Sequence, residues 1–167
     1  DFDRVSVVGI LNADTMLNYP DFRSYERAFQ LMAQVAGRAG RKHKRGKVIL
    51  QTKSMDHEVI AQVIDNRYEE MAQGQLAERQ MFQYPPFFRL IYVYMKHKNS
   101  EFLDKMADEL AGKLKTLLGT RLLVPDKPPV ARIQSLYIMT LVEKIENDVS
   151  MIKVREILSD ARLAMLQ

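Results

Sequence analysis

The chain opens its hydrophobic pattern with Val5–Leu11, VSVVGIL, a nearly continuous apolar and β-branched run. Such a run predicts a parallel strand covered on both faces. A loop is expected from Asn12 to Pro20, with Asp21 as a helix N-cap. Tyr25, Ala28, Phe29, Met32, Val35 and Ala36 then recur at helical spacing. Gly37 and Gly40 weaken the end of that helix, which runs into the basic turn KHKRGK. Gly46 marks the turn, and Lys47–Thr52, KVILQT, predicts a second short strand. Strand, helix, strand in this order implies a right-handed crossover in a parallel sheet.

From Asp56 the pattern is helical again, with Val59, Ile60, Val63 and Ile64 apolar. A charged helix follows over about Asn66 to Met81 and carries Glu69, Glu70, Glu78 and Arg79. Tyr84-Pro85-Pro86 stops it, since neither proline has an amide proton to donate and Pro86 biases Pro85 away from the helical region. The remainder predicts a strand at Phe88–Lys96 and an amphipathic helix at Ser100–Leu118. Leu103, Met106, Ala107, Leu110, Leu114 and Leu117 form its apolar stripe, and Gly119 lies past its end. A short strand at Arg121–Val124, a stiff loop with Pro125, Pro128 and Pro129, a long strand at Val130–Ile145 and a closing helix at Val149–Met165 complete the series. The order β-α-β-β-α suits a ferredoxin-like split βαβ. The expected fold class is therefore α/β plus α+β. Residues 1–66 form the first domain, 67–87 a helical connector and 88–167 an α+β domain.

Composition narrows the class without naming a function. The 167 residues are 47% hydrophobic and 28% charged, as in an ordinary globular protein with one medium domain or two small ones. No apolar run approaches the ~20 residues of a membrane span, and no signal peptide is visible. The absence of cysteine excludes disulfides and thiolate metal sites and suits a reducing, cytoplasmic compartment. His43, His57 and His97 are scattered, so no metal site is expected within the chain. The chain starts on Asp1 and enters a strand almost at once, which reads as a piece of a longer protein.

Net charge is only +4, from 25 basic and 21 acidic residues. Its distribution is more informative. Arg38, Arg41, Lys42, Lys44, Arg45, Lys47 and Lys53 lie in one stretch with no Asp or Glu among them. Within it, Gln34, Arg38 and Arg41 stand at i, i+4 and i+7, one face of a helix. Two arginines and a glutamine so placed suit a shared anion. Ala36, Gly37, Ala39 and Gly40 keep the neighbouring surface small enough for another domain to approach. Guanidinium groups bind phosphate oxygens through a planar fork, and a finger arginine stabilises charge in phosphoryl transfer. A plain basic helix C-terminus explains one arginine but not the whole set.

The segment Gln34–Arg41, QVAGRAGR, resembles motif VI of superfamily 2 helicases. The wider stretch ADTMLNYPDFRSYERAFQLMAQVAGRAGR resembles the primosomal protein N′ (PriA) family of replication-restart helicases. PDFRSYER before the motif, LAERQMFQYPPF at Leu76–Phe87 and ARIQSLYIMTLVEKI in the tail agree with that family. The resemblance covers nearly the whole chain. It implies a 3′-to-5′ DNA helicase acting in replication restart and primosome assembly, with the first domain the last third of a RecA-like lobe. It gives Arg38 and Arg41 the arginine-finger role and sets Gln34 beside the γ-phosphate of ATP. The resemblance implies ATP and Mg²⁺ in the full-length protein, and zinc in a module upstream of this chain. DNA, both branched forks and single strands, single-strand DNA-binding protein and primosome proteins are the implied partners. A Gly-rich Lys-Ser/Thr loop is lacking, so the chain alone is expected to be inactive as an ATPase and to carry no bound cofactor.

Other residues keep two readings. Lys42, Lys44 and Arg45 suit phosphate-backbone contact, closure of a nucleotide cleft, or a solvated loop. Arg132, Gln134 and Tyr137 fall on the long strand, where alternation puts Arg132 and Gln134 on a face away from Tyr137. Arg132 and Gln134 are candidate nucleic-acid contacts. Asp14 follows the first strand at a carboxyl end, where sites gather in parallel sheets, and is a candidate for coupling nucleotide to DNA or a plain turn carboxylate. The alternative function is a non-enzymatic module that binds nucleic acid or protein through the ferredoxin-like half.

Overall fold

The structure is a computed structural model that describes residues 6–37, 39 and 46–165. The chain divides into two compact units, Asp1–Arg79 and Gln80–Gln167. The fold is mixed α/β, with a two-stranded parallel sheet and a three-stranded antiparallel sheet.

In the first unit, β1 (Val7–Ile10) and β2 (Lys47–Leu50) pair in parallel, Val7 against Lys47 through Ile10 against Leu50. Helices α1 (Ala13–Leu17), α2 (Ser24–Ala36), α3 (Glu58–Ile64) and most of α4 (Tyr68–Met81) accompany them. The buried core is Ala13, Leu17, Ala28, Phe29, Met32, Val59, Ile60 and Met71, and Ile10 and Leu50 pack against it. Among the described residues only one sheet face is covered. Val7 and Ile49 on the other face are 55% and 51% exposed, which corrects the expectation of a strand buried on both sides. Apolar composition alone does not fix which face of a strand finds a partner.

Two local expectations also change. The presumed loop from Asn12 contains α1, because Ala13 and Leu17 at i, i+4 bury one face into the core. The helix after Pro20 starts at Ser24 rather than beside Asp21. Asp21 instead accepts the Arg23 amide at 2.8 Å and pairs with the Arg23 and Arg27 guanidinium groups at 3.2 Å. A short carboxylate that bonds its backbone two residues on makes a turn in competition with a helix start. His57 caps α3, its Nδ1 accepting from the Val59 amide at 3.2 Å.

In the second unit, β3 (Phe88–His97) pairs antiparallel with β5 (Leu136–Glu146) along its whole length. The short β4 (Arg132–Ile133) lies on the other side of β5, giving the order β3-β5-β4. Strands β3 and β4 are both antiparallel to β5, so they run parallel to each other and are linked through α5 (Ser100–Leu118). The Asn99 side chain caps α5 by accepting the Phe102 amide at 2.9 Å. Leu103, Ala107, Leu110, Leu114 and Leu118 of α5, Met139, Leu141 and Ile145 of β5, and Val154 and Ala161 of α6 (Met151–Ala164) are buried. The stripe thus closes on Leu118, not Leu117, which is exposed: from Leu114 the next turn on that face is i+4.

The expected strands at Arg121–Val124 and Val130–Ile145 are both revised. The first is a 3₁₀ turn over Gly119–Arg121 followed by single bridges, Leu122 to Glu143 and Asp126 to Thr140. Prolines 125, 128 and 129 cannot donate, which keeps this segment an irregular edge. The second is a hairpin. Gln134 takes a left-handed φ of 55°, and the chain reverses between Ile133 and Leu136.

Candidate functional site

Gln34 lies in the last turn of α2 and is exposed. The helix ends at Ala36, and the Ala39 amide bonds the Ala36 carbonyl at 3.2 Å. Arg38, Arg41, Lys42, Lys44 and Arg45 lie outside the described residues. Of the face expected to carry Gln34, Arg38 and Arg41, the structure therefore describes Gln34. Gln34 lies on the exposed side of α2, which falls between the two parallel strands in the chain.

Asp14 sits just beyond β1, where the carboxyl ends of both parallel strands open. Its Oδ1 accepts the Thr52 hydroxyl and its Oδ2 the Lys53 amide, each at 2.9 Å. Thr52 Oγ1 in turn accepts the Ser54 amide at 3.0 Å. The Lys53 amide, with Thr52 and Ser54 behind it, holds the Asp14 carboxyl below the usual carboxylate range against a smaller desolvation cost. Thr52 and Ser54 were not singled out by sequence. The polar run Thr52-Lys53-Ser54 directly after a strand was the available signal.

The second unit separates the residues that sequence grouped. Arg132 and Gln134 do not share a face opposite Tyr137. The hairpin pairs Arg132 directly with Tyr137 and puts its guanidinium 5.0 Å from the Tyr137 ring centroid. Gln134 occupies the exposed turn. A cavity of about 300 Å³ beside Arg132 and Tyr137 is also lined by Ser100, Asp104 and Lys127. Lys127 stands 3.9 Å from the Asp104 carboxylate, so positive and negative charge are both present there.

The opposite face of the antiparallel sheet carries a pair that sequence reading missed. Tyr92 and Tyr94 are 48% and 59% exposed, with ring centroids 6.2 Å apart and planes inclined by 14°. Their two-residue spacing in FRLIYVYMKH was the sequence signal. Below the sheet, Glu143 is fully buried between Leu141 and Ile145 on β5, with both carboxylate oxygens unpaired among the described residues. Burial pushes its carboxyl up to about 7.

Among the described residues no cluster of three His, Asp or Glu side chains could hold a metal ion. Among them, too, no helix is long and apolar enough to cross a membrane.

No family model matches the chain. Individual relatives do. Replication restart protein PriA of Bacillus subtilis is 42% identical over 139 residues, 82% of this chain and 17% of the relative. The protein of that name from Synechocystis is 34% identical over 91% of this chain and 18% of the relative. That of Treponema pallidum is 38% identical over 84% of this chain and 22% of the relative. The chain thus spans about a fifth of the length of these curated relatives. With such identity running through both structural units, the chain belongs to the family of the replication restart protein PriA.

Proposed function

We propose that the chain is part of an ATP-dependent 3′-to-5′ DNA helicase that acts in replication restart and primosome assembly. The first unit is the end of a second RecA-like motor lobe, and the second a ferredoxin-like domain that binds DNA or a partner protein. The observation that carries this reading is the sequence QVAGRAGR, whose first residue, Gln34, is exposed in the last turn of α2. An exposed amide followed by two arginines fits a phosphate-facing edge but cannot hold a nucleotide alone. Other parts of the full-length protein would supply the loop that cradles ATP and Mg²⁺.

Bound ATP would supply the phosphoryl group whose transfer to water, with ADP as the leaving group, drives translocation. Arg38 and Arg41 would offset the negative charge that develops on its oxygens, while Gln34 hydrogen-bonds beside them. Asp14 would couple that edge to DNA, because it ties the carboxyl ends of β1 and β2 together. Lys42, Lys44, Arg45 and Arg132 would contact phosphates, with Gln134 beside Arg132 at the hairpin tip. Single-strand DNA-binding protein and primosome proteins are the proposed partners in the cytoplasm, and zinc would belong to another module of the full-length protein.

The test is Arg38→Ala and Arg41→Ala in the full-length protein. Each should lower DNA-stimulated ATP turnover by about a thousandfold or more, with unchanged thermal stability. Turnover equal to wild type would sink the motor reading and leave the non-enzymatic module.

A further inference from the structure

We infer that Tyr92 and Tyr94 form a stacking platform for single-stranded nucleic acid on the face of the antiparallel sheet away from α5 and α6. Opposed residues of the register share a face. Val93 and Met95 pack with the helices, so Phe88, Leu90, Tyr92, Tyr94 and Lys96 point the other way. Both tyrosines are about half exposed as residues, and their ring planes are nearly parallel. Alternate residues on a strand recur about every 6.8 Å, so each ring offers a separate π-face to one base.

Charge on this face selects the occupant. Lys96 follows Tyr94 in the same row and is exposed. Lys144, opposite Leu90, adds a second cation beside the row; its Nζ donates to the Phe82 carbonyl at 2.7 Å and lies 4.0 Å from the Tyr84 ring centroid. The carboxylates nearby are already engaged. Glu146 accepts from Arg121 at 2.6 Å, and Asp126 accepts the Lys127 amide at 2.8 Å. Two exposed aromatic rings between cations suit a polyanion with stackable bases and open backbone. A duplex hides its base faces and cannot use the rings. The sheet also stands apart from Gln34, Arg38 and Arg41 in the chain, so strand binding and phosphate sensing would rest on different units.

This inference rests on the chain's belonging to a DNA-acting protein, and its test is separable from the turnover assay. The full chain is titrated into a fluorescein-labelled oligothymidylate of about 15 nucleotides at low salt, with a blunt duplex of equal length alongside. Tyr92→Thr and Tyr94→Thr keep β-forming residues on exposed sites, which protects the fold. Each should weaken oligothymidylate binding by about fivefold to a hundredfold and leave duplex binding unchanged, while Tyr94→Phe binds as wild type does. Unlabelled oligothymidylate should quench the tyrosine emission of the wild-type chain, which contains no tryptophan. Wild-type affinity in both Thr variants, or saturation without quenching, overturns the platform while leaving the motor reading to its own assay. No binding of oligothymidylate by the wild-type chain overturns it as well.

Discussion

The Thr52 hydroxyl donates to Asp14 at 2.9 Å, joining residues 38 positions apart across the open ends of β1 and β2. The adjacent Lys53 amide donates to the other carboxylate oxygen. One side chain thus fixes the loops that leave both parallel strands. Asp14→Ala should lower the melting temperature of the chain, and Asp14→Asn should lower it less because one acceptor oxygen remains. The Lys53 amide depresses the folded pKa of Asp14. Its contribution is therefore complete above the ordinary carboxylate pKa of about 4 and lost as pH falls through the depressed value. Melting curves from pH 3 to pH 7 check this: the gap between wild type and Asp14→Ala should narrow at the acid end.

Glu143 should behave in the opposite sense. Its folded pKa, raised by burial to about 7, exceeds the unfolded carboxylate value. Stability relative to that group is full below about pH 4 and lost as pH rises through 7, by roughly 3 kcal/mol in all. Glu143→Gln should remove this slope and make the chain more stable than wild type at pH 8. Urea unfolding at pH 5 and pH 8 measures it, and equal pH slopes for both proteins would contradict the assignment.

Arg79 anchors the end of α4 to the first unit. Its Nη2 donates to Glu26 at 2.6 Å, its guanidinium carbon lies 5.1 Å from the Phe22 ring centroid, and its side chain is only 13% exposed. Arg79→Ala should cost about 1–2 kcal/mol, more than an ordinary surface ion pair. Arg79→Lys should recover only part of it, because the planar guanidinium serves carboxylate and ring together. Denaturant midpoints of the two variants decide the order.

Gly119 ends α5 at φ 61° and ψ −131°, a conformation that side-chain-bearing residues rarely adopt. A Cβ built there meets nothing within 4 Å. Gly119→Ala should therefore destabilise through backbone strain alone, by about 1–3 kcal/mol. A variant as stable as wild type in thermal unfolding would show that the turn relaxes.

Much of the architecture was legible because it is locally encoded. The stripe from Leu103 to Leu114 and Gly119 beyond Leu118 set the limits of α5. Alternation from Phe88 onward set β3, and Tyr84-Pro85-Pro86 ended α4 close to Met81. QVAGRAGR likewise drew attention to Gln34, Arg38 and Arg41 through the spacing of their residue types. Those features depend on neighbours within a turn or two of the chain.

Tertiary structure decided the rest, because partners distant in sequence are chosen by pairing and burial. The apolar run at β1 does not state that Val7 stays exposed while Ile10 is covered. The run from Val130 to Ile145 reads as one strand until Gln134 turns left-handed and Arg132 meets Tyr137 across the hairpin. For Asp14 the sequence leaves a coupling residue and a turn carboxylate both open, and only the parallel register brings Thr52 to it. Tyr92 and Tyr94 looked like strand formers until the helices took the other face of the sheet. Periodicity names the faces of an element, whereas only its packed neighbours determine which face is left to act on something else.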